Sequence, residues 1–437
     1  MNSIKLDKYS AALKELDTLK YSGRVSKVIG LTIEAIGPSV NIGEICDVFS
    51  VKNKNPIKAE VVGFKNNTVL LMPLGDMEGI GPGSGVVATG DTLRVPVGEG
   101  LLGRVLDGLG NPIDGLGPLQ FSRMFPVTNP PPNPLLRKKI NEVLELGIKS
   151  IDGLLTCGKG QRIGIFSGSG IGKSTLLGMI ARNTSADINI IGLIGERGRE
   201  VREFLENDLG REGLKRSVVV VATSDQPALV RLKSAQLVTA IAEFFRSMGK
   251  DVILMMDSLT RFALAQREVG LAIGEPPVTR GYTPSVFAVL PKLLERSGTA
   301  TSGSITGLYA VLVDRDDLNE PITDAVRGIL DGHIVLSRSL ANKNHYPAID
   351  ILQSISRLMP NIVDTGHHTS ALRIKDTMAV YKNAEDLISI GAYNRGSNPK
   401  IDYAIDKIEI INNFLKQGIK EKVSFESTIE ELTSLLD

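Results

Sequence analysis

The sequence predicts a multidomain α/β protein: a small N-terminal antiparallel β-barrel, a central parallel sheet with helices on both faces, and a C-terminal helical domain. Three observations predict it. Short β segments separated by turn residues run from about Gly23 to Leu93. Strands and helices then alternate around a glycine-rich loop centred on Gly170. After about Ala371 the apolar spacing becomes helical to the end of the chain.

The 437 residues carry 50 Lys+Arg against 49 Asp+Glu, a formal charge of +1. A chain of that length buries a large core and divides into two or three domains. Its balanced charge offers no global field for nucleic acid or an anionic membrane. Cys46 and Cys157 are the only cysteines, far apart and in no metal or redox spacing. No basic-then-apolar leader opens the chain, and the long uncharged run from Ser297 to Val313 is rich in Gly, Ser and Thr, a poor membrane span. A soluble, intracellular protein is expected.

Residues 1–22 form the first segment. Leu6, Tyr9, Leu13 and Leu16 keep a three-then-four spacing among charged residues, which predicts an amphipathic helix, either folded on its own domain or docking a partner. Residues 23–93 are the predicted barrel. Leu31, Ile33 and Ala35 alternate with polar residues, and Asn66-Asn67 separates Val61-Val62 from Val69-Leu70-Leu71. Nothing in this stretch looks catalytic. Its few aromatics, Phe64 and Phe49, and scattered charges do not make the stacking groove that single-stranded nucleic acid requires.

Residues 94–370 are the predicted central domain, entered through a turn-dense join from Val95 to Gly115 and a proline-rich run from Pro126 to Pro134. Strands are expected at Ile163–Phe166, Ile188–Ile194, Val218–Ala222, Val252–Met256, Leu308–Val313 and Ile334–Leu336. Leu229 to Met248 reads as a helix stopped by Gly249. Residues 371–437 are the helical domain, with Ile405, Ile408, Ile411 and Leu415 on one stripe.

The chemistry starts at the strand Ile163–Phe166, which runs into Ser167-Gly168-Ser169-Gly170-Ile171-Gly172-Lys173-Ser174-Thr175 and then an apolar-periodic helix. Strand, glycine loop, Lys-Ser and helix in that order make a phosphate cradle (Walker A). Backbone N–H groups of the loop converge on phosphate oxygens, Lys173 reaches the β- and γ-phosphates, and Ser174 ligates Mg²⁺. Ser167 stands where the motif usually begins with glycine. Ile253-Leu254-Met255-Met256 ends in Asp257, a carboxylate at a strand tip suited to the Mg²⁺ water shell. Glu196 follows the strand ending at Ile194 and could polarise an attacking water; as a solvated charge cluster, Glu196 to Glu200 would do nothing. Arg197 and Arg261 could face phosphate or pair with nearby acids.

Gly195-Glu196-Arg197-Gly198-Arg199-Glu200, Thr223 to Arg231 (Thr-Ser-Asp-Gln-Pro-Ala-Leu-Val-Arg) and Gly274-Glu275-Pro276-Pro277 together resemble the rotary ATP synthase catalytic subunits. Leu154 to Arg162, Asp331 to Arg338 and His345-Tyr346-Pro347-Ala348-Ile349-Asp350 are similar to the type III protein export ATPases, and Glu385 to Tyr393 with Gly396 to Asp402 looks most like their flagellar branch. The resemblance runs from about Gly23 to Gln417. It implies a RecA-like P-loop domain and Mg²⁺-dependent ATP hydrolysis by a homohexameric ring that energises protein export, with ATP and Mg²⁺ as cofactors. It implies that Glu196 is the catalytic glutamate, Asp257 the Mg²⁺-associated aspartate, Tyr346 the aromatic that stacks on adenine, and Arg357 an arginine that reaches a neighbouring subunit's nucleotide. A stator-like regulator at the N-terminal helix, a central stalk, an export-gate membrane protein and export substrates with their chaperones are the implied partners, at the inner face of the cytoplasmic membrane. No direct nucleic-acid contact is implied. The region after Ala371 lacks the acidic lever run of the synthase catalytic subunit, which argues against the alternative of a synthase or vacuolar-type ring subunit. Lys173 with Glu196 argues against a non-catalytic ring subunit. A second adenine-packing aromatic has no match.

Overall fold

The computed structural model describes residues 21–50, 55–313, 317 and 319–436. The predicted N-terminal amphipathic helix lies outside the described residues. Two compact units are present: the described residues up to Leu93 with Val269–Glu275, and Arg94–Glu268 with Pro276–Asp437. The sequence places Val269–Glu275 in the central domain; by their contacts they group with the first unit.

The first unit contains a closed barrel of six strands: β1 (Ser22–Ile29), β2 (Thr32–Ile36), β3 (Glu44–Phe49), β4 (Ile57–Lys65), β5 (Thr68–Pro73) and β6 (Gly85–Thr92), in the order β1-β2-β5-β4-β3-β6. Every pairing in it is antiparallel. Alternation puts Val25, Ile33, Ala35, Val48, Val61, Leu71 and Val86 inside. Asn66 and Asn67 both take positive φ, the backbone of a tight hairpin turn between β4 and β5. Leu31 does not continue the inward alternation; it is exposed beside Gly30 in the β1–β2 turn. The glycines after Gly79 do not end the β structure, since β6 closes the barrel against β1 and β3.

The second unit is built on one large sheet. In chain order its strands are β7 (Val105–Asp107), β8 (Arg162–Ser167), β9 (Ile188–Ile194), β10 (Ser217–Ala222), β11 (Asp251–Asp257), β12 (Ser304–Leu312), β13 (Gly332–Leu336) and β14 (Ile349–Ser356), arranged β14-β13-β8-β12-β11-β9-β10-β7. A further short strand, Gly298–Thr299, pairs antiparallel with β12 off this path. All neighbours along the main path run parallel except β14, which is antiparallel to β13. Continuous apolar runs such as Ile188–Ile194 are buried throughout, as parallel strands covered on both faces require. Two edge strands were not foreseen. The first, β7, is three residues inside the turn-dense join, and β14 leaves Leu352, Gln353 and Ile355 exposed, so its apolar residues do not keep to one face.

The helices that position the site are α1 (Lys149–Leu154), α2 (Lys173–Asn183), α3 (Gly198–Glu203), α4 (Ala228–Ser247), α5 (Leu259–Ile273) and α6 (Arg338–Asn342). The C-terminal part contains α7 (Thr365–Ser389), α8 (Pro399–Leu415) and α9 (Phe425–Ser434). The helix expected from about Ala371 starts at Thr365, because the Asp364 side chain accepts from His367 N and caps it there. Its His367 Nε2 bonds the Gly153 carbonyl of α1 at 2.7 Å. Gln417, after α8, clamps the residues around α1: its Nε2 donates to Gly147 O at 2.9 Å and its Oε1 accepts from Lys149 N at 2.9 Å. Ala404, Ile411, Phe414 and Leu415 form the buried stripe of α8, with Ile405 and Ile408 half-buried beside it. Among the described residues no helix is long and apolar enough to cross a membrane.

Candidate active site

The phosphate loop leaves the carboxyl end of β8 at Ser167 and enters α2 at Lys173. Gly170 and Gly172 have φ of 77° and 91°, a left-handed backbone that a side chain would strain. Gly178, one turn further along α2, allows a close approach: a Cβ there would lie 2.6 Å from Asp208 Cβ and 2.7 Å from Asp208 O. That approach brings the Asp208 carboxylate to the Thr175 hydroxyl, which donates to it. Gly168, Ser169, Gly170, Gly172, Lys173, Ser174 and Thr175 all line one cleft of about 800 Å³. Ile171 does not: its side chain is buried in the core, so only its backbone can serve a ligand. Ser167 is buried, and its Oγ has no hydrogen-bond partner among the described residues.

Strands β9 and β11 are adjacent in the sheet and end beside the loop. At the end of β11, Asp257 pairs with the Lys173 ammonium. Just after β9, Glu196 Oε1 lies 3.7 Å from Lys173 Nζ and has no hydrogen-bond partner among the described residues. Burial first, and the Asp257 charge second, push the Glu196 carboxyl up to about 7, against the opposing pull of Lys173. A hydrogen bond with Glu200 acts in the same direction and holds Glu200 below the usual carboxylate range. Of the two, Glu196 therefore holds a proton more tightly than Glu200. Arg197 precedes α3 at its N-cap position, lines the cleft, is exposed, and lies 3.8 Å from Glu200 Oε1. Arg261, on α5, also lines the cleft; its stem packs where a Cβ on Gly195 would stand, and its buried Nε has no hydrogen-bond partner among the described residues. Thr260 Oγ1 accepts from Leu312 N at 2.9 Å, tying the start of α5 to the end of β12.

The other flank of the loop is built by β13 and the residues after it. Tyr346 is half-exposed, its ring 3.7 Å from the position of a Cβ on Gly172, and its carbonyl accepts from Gln417 N at 3.0 Å. Arg338, at the start of α6, donates from Nη2 to Ser169 O at 3.3 Å and lines the cleft. Arg357 is not brought to this cleft. It follows β14, whose Ser356 is paired with Gly332 at the amino end of β13, whereas Ser167 is beside Leu336 at the carboxyl end. Its Nη2 is 3.5 Å from Arg327 O. Sequence reasoning did not single out Glu200, Asp208, Thr260 or Arg338 as site residues, although the quoted runs contain Glu200 and Arg338; only packing shows what each touches.

The donor set fits Mg²⁺. Ser174 offers an exposed hydroxyl in the cleft and Asp257 a carboxylate, hard oxygen donors of the kind this ion takes. Among the described residues no cluster of three or more His, Cys, Asp or Glu could cage a metal. Mg²⁺ needs no such cage when substrate phosphates and waters complete its shell.

Comparison with known proteins places this geometry. Residues 147–356 match the nucleotide-binding domain of the ATP synthase alpha/beta family, 25–90 its beta-barrel domain, and 363–434 the type III secretion EscN ATPase C-terminal domain. The chain is 58% identical to the flagellum-specific ATP synthase of Bacillus subtilis over 96% of both chains. The chain belongs to the flagellar and type III secretion ATPase family. It is 50% identical to the type 3 secretion system ATPase of Xanthomonas euvesicatoria over 97% of both. The structure of the assembled ATPase EscN from enteropathogenic E. coli superposes with a TM-score of 0.89 at 48% identity, over 95% of this chain and all of that one. EscN is also known in complex with its central stalk EscO, at a TM-score of 0.88. As a member of this family the chain is an ATP-binding, ATP-hydrolysing enzyme, and its barrel, nucleotide-binding sheet and helical C-terminal domain are those of EscN.

Proposed function

We propose that the chain hydrolyses Mg·ATP as a homohexameric ring and that hydrolysis energises flagellar or type III protein export, releasing substrates from chaperones and unfolding them at the export gate. The observation that carries the reading is the convergence of Glu196 and the buried Asp257 on Lys173 at the phosphate loop, with Arg357 leaving the opposite end of the sheet. An arginine so distant from its own cradle serves a neighbour's cradle when copies are arranged head to tail.

In this reading the loop N–H groups from Gly168 to Thr175 hold the phosphates, and Lys173 turns from Asp257 to the β- and γ-oxygens. Ser174 and Asp257 would hold Mg²⁺, which supplies charge neutralisation of the phosphates. Glu196 in its ionised form orients the attacking water and accepts its proton as the water attacks, while Arg197 and Arg261 face the charge that develops. Tyr346 packs on the adenine. The neighbour's Arg357 adds a positive charge to the transferring phosphoryl group, an effect worth about 10³–10⁵ in rate in well-studied cases. A stator-like regulator at the N-terminal segment, a central stalk like that of EscN, and peripheral association at the inner face of the membrane complete the proposal.

The test is a pull-down of the chain from its own cells. Export-gate, stalk and stator-like proteins are the expected companions. Recovery of ATP synthase or vacuolar-type ring subunits in their place would transfer the same chemistry to a rotary synthase.

A further inference from the structure

We propose that Arg338 binds the proximal phosphates of the nucleotide, those retained in ADP. This rests on the nucleotide-site reading above and assigns a contact that the reading leaves open. The sheet order supplies the first part of the argument. Relative to β8 and its loop, Glu196 and Asp257 come from strands on one side, β9 and β11. Arg338 and Tyr346 follow β13, on the other side. A nucleotide with its terminal phosphate at Lys173 and its base at Tyr346 runs its proximal phosphates along Ser169 to Gly172, the stretch that Arg338 touches.

The local geometry supplies the second part. Strand β13 ends at Leu336, directly beside Ser167. Ser337 then caps α6 with its side chain and fixes where Arg338 begins. The Arg338 guanidinium lies across the loop, with Nη2 3.3 Å from the Ser169 carbonyl. A neutral carbonyl at that distance is a weak acceptor. Phosphate oxygens fit the planar fork of an arginine in pairs and carry charge, so they hold it more strongly than that carbonyl does. A contact to the proximal phosphates is the same in ATP, in the transition state and in ADP. It therefore strengthens nucleotide binding without lowering the chemical barrier.

Arg338→Ala is expected to weaken ADP affinity, read by calorimetry with Mg·ADP, by about tenfold to a hundredfold. The KM for ATP should rise by a similar factor while kcat falls less than about threefold. Arg338→Lys should recover part of the loss and Arg338→Gln none, because the contact needs a cation. Unchanged ADP affinity in Arg338→Ala would overturn the proposal, as would a loss of kcat at unchanged ADP affinity. Recovery by Gln as complete as by Lys, with a lowered melting temperature in Arg338→Ala, would make the residue a peg for the loop and also overturn it. Lys173→Ala serves as the separate control. If that variant kept both nucleotide binding and turnover, the phosphate-loop reading itself would fail, whatever Arg338 does.

Discussion

Replacing Glu200 with Gln should change the pH dependence of turnover without touching phosphate or metal ligands. Glu196 titrates at about 7, raised chiefly by burial and by Asp257, with Glu200 adding to the rise through a hydrogen bond and its charge. A general base works only when ionised. About half of Glu196 is ionised at pH 7 and about a tenth at pH 6, so kcat/KM should fall roughly fivefold from pH 7 to 6 and approach tenfold per unit below that. The amide of Glu200→Gln carries no charge, and its NH₂ can donate to an ionised Glu196. Both changes favour the carboxylate, so the acid limb moves to lower pH. A limb displaced by one pH unit raises the rate at pH 6 about fivefold over wild type, when the two are scaled at their plateaus. The assay is kcat/KM for Mg·ATP from pH 5.5 to 8.5 on both proteins. Titration of the substrate itself affects both alike and cancels in the comparison. A limb that stays in place or moves upward in Glu200→Gln would refute the reasoning, and so would a flat wild-type profile between pH 6 and 8.

The same geometry predicts two further outcomes. Glu196→Gln keeps shape and hydrogen bonding but loses the base, so Mg·ATP binding should persist while hydrolysis drops by roughly 10²–10⁴; loss of binding measured by calorimetry would make Glu196 structural. Gly178→Ala gains up to about 1 kcal/mol of helix propensity. Its Cβ, however, meets Asp208 at 2.6 Å, with backbone at 2.7 Å. Overpacking of that kind costs about 1–3 kcal/mol, so the clash wins and thermal unfolding should begin earlier, whereas an unchanged or higher melting temperature would show that α2 and Asp208 separate freely.

Much of this architecture was legible because burial on both faces leaves a strong signal. The run Ile188–Ile194 reads as a strand with the same ends that the structure has, since all of its residues are buried. Where only one face or one edge is buried, the signal fades. Three residues of β7 sit among turns, and β14 alternates with exposed Leu352, Gln353 and Ile355. The cradle was legible for a different reason: its glycines and Lys-Ser are contiguous, and local backbone geometry alone requires them. Partnerships across the sheet were not. Nothing local says that Glu200 takes a hydrogen bond from Glu196, that Asp208 reaches Thr175, or that Arg338 lies over Ser169, because each depends on which strands become neighbours. Ile171 illustrates the converse: it belongs to the loop by sequence, yet its side chain packs into the core.

The central claim, a cradle completed by a neighbour's arginine, is tested most directly by mixing two inactive proteins. Arg357→Ala should bind ATP nearly as well as wild type and hydrolyse it poorly. Glu196→Ala should be inactive while retaining a working arginine. In a ring formed from equal amounts of both, a competent site needs its cradle from the Arg357→Ala chain and its arginine from the Glu196→Ala chain. Random mixing makes that roughly a quarter of all interfaces when the arginine acts in trans. ATPase activity should therefore return on mixing, above the sum of the separate proteins. Mixed rings shown to form yet remaining inactive, or full activity in Arg357→Ala alone, would contradict the account.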